Sequence, residues 1–355
     1  MTYLPTEILL LIVDGVVNKS DKNLVYAAND PITTTLFNLA LTCRALRLRA
    51  TQLLYSRCLH IDSDWRLNCL MRTLSDESLD IGAKNSILAK ATSNPTLGLF
   101  LAPFPGDDLD QPEIVKQIIE LFDIFAPYLT QLAIDMPLRS MWAEEDHHNI
   151  RPSLRRAFEG LSELEQFSSI RDELFLRLEP SGRSERQPLV WAMCWPKLRR
   201  LSLYNPDISS ENFLRALWSC PGLENVVLTR SDGLVDPAPD PFLRPESESY
   251  VSALPGPSKK LEMKFINNAE GNNYYRRDYH DCAIDPTSDE RRAIDVIRLK
   301  VTERFKPRYY QFPAVVTVPQ YHQQAYADEI EMCQEWVKSY VLNGRLWEVT
   351  ESSAE

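Results

Sequence analysis

Four short segments share one apolar spacing, and that spacing restricts the folds open to this chain more than any other feature. They read Leu129-Thr-Gln-Leu132-Ala-Ile134, Leu164-Glu-Gln-Phe167, Leu198-Arg-Arg-Leu201-Ser-Leu203 and Leu223-Glu-Asn-Val226-Val-Leu228, with Leu261-Glu-Met263 as a degenerate fifth copy. In the four full copies an apolar residue stands three before a second, and the longer copies add a third two further on. Side chains at these offsets point inward from a turn and a short strand. One unit alone has too little chain to cover them, whereas stacked units cover one another.

Between the copies lie helix signals. Asp110-Gln-Pro-Glu113, a capping residue with Glu three on, precedes the apolar run 114–125, and Ser209-Ser210 stand ahead of Phe213, Leu214, Leu217 and Trp218. Strand then helix, repeated, predicts an α/β fold built as a curved stack. The copies recur about 25 to about 35 residues apart, an irregular version of leucine-rich-repeat spacing. Residues 61–355 are read as this repeat domain, with a Pro-, Ser- and Asp-rich insert at 232–260. After the insert, Thr287-Ser-Asp-Glu290 caps an expected helix reaching about residue 305, and 314–318 is an expected buried strand. A last helix is expected over 320–342, presenting Ala325, Ile330, Cys333, Trp336, Val337 and Tyr340 and ending at Asn343-Gly344.

The amino-terminal 60 residues have a different character. YLPTEILLLIVD, residues 3–14, holds six consecutive apolar residues. The run has no basic leader and no small-residue cleavage site, as a secretory signal would, and it falls well short of the roughly 20 apolar residues of a membrane span. A helix apolar on all sides must be covered on all sides. In a small bundle only one side meets its own core, so the other needs a partner. Pro5, Thr6 and Glu7 start this helix, which is expected to stop near Asp14-Gly15. Polar, turn-forming residues at 15–35 read as a long loop. A single amphipathic helix is expected at 36–55, where Leu36, Leu39, Ala40, Cys43, Leu46 and Ala50 recur at three-and-four spacing, and a short strand ends at Ile61.

Charge and cysteine usage narrow the function classes. A net charge of −11 disfavours general attraction to nucleic acid or anionic lipid. Seven cysteines, none in CxxC spacing, fit a reducing compartment, cytoplasmic and/or nuclear, with thiols serving as small core residues. Glu144, Glu145, Asp146, His147 and His148 gather ligand types, but adjacent side chains diverge and no HExxH accompanies them. They are read as a solvated acidic loop, with a metal-dependent hydrolase as the weakest alternative. Neither a Gly-rich phosphate loop nor Gly-x-Ser-x-Gly occurs, and no cofactor, metal or catalytic residue is assigned.

Leu4-Pro5-Thr6-Glu7-Ile8-Leu9, followed by Leu36, Leu39, Leu41-Thr42-Cys43-Arg44, Leu46 and Leu54-Tyr55, resembles an F-box across residues 1–60. The loop at 15–35 is longer than usual for that family, Leu46 stands where an aromatic is frequent, and Tyr55 replaces a closing Trp. An F-box followed by irregular leucine-rich repeats is similar to many fungal F-box proteins. The resemblance implies an adaptor rather than an enzyme: the F-box docks on Skp1, which joins it to a cullin, and the repeats hold a protein substrate of unknown identity. It implies a Skp1-facing set of Leu4, Pro5, Ile8, Leu9, Ile12, Leu36, Leu39, Cys43, Arg44 and Leu46. Leu10, Leu11 and Val13 are then expected to meet the following helical segments. A repeat scaffold unconnected with ubiquitin transfer is the alternative. Under the adaptor reading, the aliphatic groups near the amino terminus must remain uncovered by their own chain.

Overall fold

The computed structural model describes residues 5–17, 22–75, 97–178, 187–208, 211–231, 261–267, 314–317 and 329–349. Three helices open the chain: α1 (Thr6–Val16), α2 (Pro31–Thr42) and α3 (Arg44–Arg57). The other described residues are mixed α/β around one parallel sheet of eight strands that lie in chain order. These are β1 (His60–Ile61), β2 (Leu97–Leu101), β3 (Leu129–Ile134), β4 (Gln166–Ser169), β5 (Arg200–Tyr204), β6 (Asn225–Thr229), β7 (Glu262–Asn267) and β8 (Ala314–Thr317). Helices α4 (Asp64–Ser75), α5 (Pro112–Phe125), α6 (Ile150–Glu159), α7 (Val190–Cys194) and α8 (Glu211–Ser219) alternate with the first six strands, and each packs on the next. No described helix is long and apolar enough to cross a membrane.

The apolar spacing becomes a ladder. Leu99, Leu132, Phe167, Leu201, Val226 and Met263 pair in register across β2 to β7. All six are buried against the helices, with Leu129, Leu164, Leu198, Leu223 and Leu261 filling the turns or strand starts below. The degenerate copy is thus a full strand, β7. Strand β2, Leu-Gly-Leu-Phe-Leu, was not expected. It lacks the leading Leu three residues upstream, although Leu97, Leu99 and Leu101 alternate as an inward-facing set should.

Parallel sheets bury both faces, and the second face is covered by the end of the chain. Helix α9 (Glu329–Leu342) and the 3-10 turn Leu346–Glu348 form a second core with Phe100, Ala133, Ile170, Tyr204, Val227 and Ile266. The expected strand at 314–318 is β8, and the expected last helix is described from Glu329 onward. The insert at 232–260, the capped helix at 287–305 and the Ser209-Ser210 cap lie outside the described residues. The Asp110 cap is corrected: Gln111 occupies the N-cap of α5 without a side-chain bond, and the Asp110 carboxylate instead meets His148 Nδ1 at 2.8 Å.

The expected single helix at 36–55 is two helices broken at Cys43, whose backbone is extended (φ −159°, ψ 164°). Its apolar spacing stays in phase across the break, so periodicity could not reveal the break. The long loop at 15–35 is also corrected. Helix α1 continues to Val16, and α2 starts at Pro31, with the Asp30 carboxylate accepting from Ile32 N at 2.7 Å. Asp-Pro is a helix start here, a capping acid followed by proline in the first turn.

Residues 22–27 of the connection form a strap joining the helical module to the sheet. Leu24, Val25 and Tyr26 are buried, Leu24 N donates to Leu342 O at 2.9 Å, and Tyr26 N donates to Arg57 O at 2.8 Å. Two glycines make room for it. A Cβ on Gly98 of β2 would stand 2.5 Å from Leu24 O, and one on Gly344 (φ +65°) would collide with Lys22 O. Gly344 therefore answers to both a left-handed backbone and a close approach. Gly344→Ala is expected to lower unfolding stability by about 1–3 kcal/mol, read from urea titration of the variant against the parent. Gly98→Val is expected to destabilise in the same assay by displacing the strap.

Candidate docking surface on the amino-terminal helices

Phase decides which side chains of the module face inward. On α1 only Val13 is fully buried, and Leu9, Val16 and Val17 pack beside it. Leu11 lies two residues from Val13, about 200° around the helix, and is 64% exposed. That corrects the expectation that Leu11 meets the other helices, whereas Val13 does and Leu10 is half-buried. Ile8 and Ile12, four apart on one side of α1, are 42% and 50% exposed. Helix α2 turns Leu36 and Ala40 inward and leaves Phe37 and Leu41 outside; α3 buries Leu46, Ala50 and Leu53 and exposes Leu48.

The ten residues assigned from the sequence therefore divide. Leu4 lies outside the described residues. Pro5, Ile8, Ile12, Cys43 and Arg44 are exposed, while Leu9 and Leu39 are half-buried at the margin of the module core. Leu36 and Leu46 are the correction: they lie inside the three-helix core, at 0% and 6% exposure, because the break at Cys43 folds their stripe onto itself. They can support a surface from beneath but not present one. Sequence reasoning missed Leu11, Phe37, Leu41 and Leu48. For Phe37 and Leu41 the signal was present as an apolar pair four apart, off the core stripe.

Six large apolar side chains thus stand in water on three adjoining short helices. Covering what remains exposed would yield on the order of 5 kcal/mol, and such surface usually marks an interaction site. The helices beneath are fixed. The Asp14 carboxylate pairs with Arg49 Nε, and Arg47 Nε donates to Ala40 O at 3.4 Å, satisfying a carbonyl near the end of α2. The Tyr55 hydroxyl, near the end of α3, has its pKa raised by burial.

The loops at the strand ends form the other polar centre. Arg151, buried, donates through Nε to Arg177 O at 2.8 Å and through Nη1 to Leu138 O at 3.3 Å, and its guanidinium lies 4.7 Å from the centre of the Phe175 ring. Asp146 caps α6, accepting from Ile150 N and Arg151 N. The acidic stretch at 144–148 is thereby used in local structure. Among the described residues no group of three or more His, Cys, Asp or Glu is placed to hold a metal ion. Arg139 clasps Glu173 through two bonds of 2.8 and 2.6 Å, and its backbone N–H donates to Asp172 at 3.0 Å. Burial pushes the Asp172 carboxyl from 3.8 up to about 6.

Two expectations follow. Leu36→Ala should cost about 2–5 kcal/mol in chemical denaturation, whereas Ile8→Ala should change stability by less than about 0.5 kcal/mol; equal losses would contradict the division into core and surface. Because the folded pKa of Asp172 lies above its unfolded value, its contribution to stability is fully present below pH 3.8 and is lost as pH rises through about 6. Asp172→Asn should remove that component of the pH dependence in unfolding midpoints measured across the interval. In comparisons with known proteins, no family model and no curated protein sequence matches this chain.

Proposed function

We propose that this chain is the substrate-recognition adaptor of a Skp1–cullin–F-box ubiquitin ligase, with α1 to α3 as the F-box and the strand–helix units as irregular leucine-rich repeats. One observation carries the reading: Ile8, Leu11, Ile12, Phe37, Leu41 and Leu48 remain exposed on three helices whose cores are otherwise closed. Pro5 and Glu7 of the Leu-Pro-x-Glu start and the Cys43-Arg44 step lie on the same module. The shortened connection also supports it, since residues 22–27 lie against the sheet and α3 instead of projecting as a long loop.

The mechanism is positional. Skp1 covers the apolar side chains, the cullin assembly supplies an activated ubiquitin, and the repeat domain holds a protein whose lysine accepts it. The chain's own side chains make and break no covalent bond in this scheme. Its contribution is effective concentration, which for short connections reaches the millimolar range. Rigidity serves that role: α3 packs on β2, and the strap ties the module to the second face of the sheet.

The test is binding of full-length protein to purified Skp1. The wild type is expected to bind. Ile8→Asp combined with Leu11→Asp should weaken the affinity at least tenfold, a loss of about 1.4 kcal/mol or more, while leaving the unfolding transition in place. Wild-type protein that is folded yet fails to bind Skp1 would overturn the adaptor reading and favour a scaffold outside ubiquitin transfer.

A further inference from the structure

We propose that the sheet face under α9 is a docking site for an amphipathic helix of a partner protein, and that α9 fills it in the free protein as the chain's own ligand. The partner's role as a ubiquitylation substrate rests on the adaptor reading, but the exchange of one helix for another does not.

Helix α9 reads as a ligand helix. Met332, Cys333, Trp336, Val337 and Val341 form one buried stripe, while Ile330, Glu331 and Ser339 on other sides stay exposed. One stripe laid on a complementary surface is the pattern of helix-in-groove recognition. At the rim, Lys338 Nζ reaches Asp135 at 3.3 Å and lies 5.7 Å from the centre of the Phe100 ring.

The fit is incomplete in a specific way. Ser168 and Ser202 stand in register on neighbouring strands, and Thr229 stands on the next, all on the face that α9 covers. Their exposures are 1%, 0% and 0%, and none of the three hydroxyls has a hydrogen-bond partner among the described residues. The indole N–H of Trp336, a member of the same second core, is likewise unpartnered among the described residues. A sheet face made only to be a permanent core has no use for three unbonded hydroxyls, because a buried polar group costs stability unless it is bonded. The in-register pair Ser168 and Ser202, with Thr229 further along the next strand, fits a visiting helix with the same apolar stripe, a Ser, Thr, Asn or Gln above the pair, and a Lys or Arg toward Asp135. Such a helix gains bonds that α9 does not make. Against it, α9 has the advantage of tethering, so only the better-matched helix displaces it.

Hydrogen exchange on the unmodified full-length protein decides the matter. The amides of α9 should exchange at least about 100-fold faster than those of β5 and β6, as a sub-global opening requires. Exchange of α9 and the strands at one common rate would overturn the proposal. A second measurement uses a fluorescent peptide of residues 329–349. Val337→Asp, which weakens the resident helix, should take up this peptide at least about tenfold more tightly than the parent, as removal of an internal competitor predicts. A folded variant that does not take it up would also overturn the proposal. If the variant does not fold, the exchange rates decide alone. Skp1 binding measured on the same samples separates a failure here from a failure of the adaptor reading.

Discussion

A parallel sheet has two faces, and neither tolerates water. In this chain the faces are covered by different means, and much else follows from that asymmetry. Helices α4 to α8 come between strands, so each strand brings its own cover, and the in-register ladder from Leu99 to Met263 is closed unit by unit. Among the described residues, no helix between strands covers the opposite face. It is closed by distant pieces of chain: the strap at 22–27, helix α9 and the turn at 346–348.

That difference accounts for what could be read from the sequence. Locally closed structure leaves a local signature, so the Leu129, Leu164, Leu198 and Leu223 copies predicted strands β3 to β6 and the helices between them. Cover supplied from a distance leaves none. Helix α9 was visible as an amphipathic stretch, but nothing in Trp336 or Val337 said which surface they met. The strap was less visible still, since Leu24-Val25-Tyr26 is too short to carry a period and sits among turn-forming residues.

The candidate docking surface was legible in kind and misassigned in part. The apolar excess of α1 correctly implied side chains facing away from the module core, as Ile8 and Ile12 do. Assigning individual residues requires helix phase, and phase depends on where each helix starts and stops. The resemblance assigned Leu36 and Leu46 to the outward face, and reading 36–55 as one rod kept them on a single stripe. With the chain broken at Cys43, both lie in the core of the module, and Phe37, Leu41 and Leu48 stay outside. Arg151 shows a further limit. Its backbone-directed hydrogen bonds go to residues 13 and 26 positions away, and an arginine on a helix normally reads as solvated.

The two glycines that admit the strap link the ends of the molecule in an unexpected order. Lys22 and Leu24 sit between β2 and the turn at Gly344, so the first 30 residues are anchored partly by the last 15. A chain cut short at its carboxyl end would lose the backbone bond from Leu24 to Leu342 and the wall beside Lys22, although every residue of α1 to α3 would still be present. Damage at the tail would thus surface as looseness at the head, and a lesion mapped near residue 344 could be mistaken for one in the helical module.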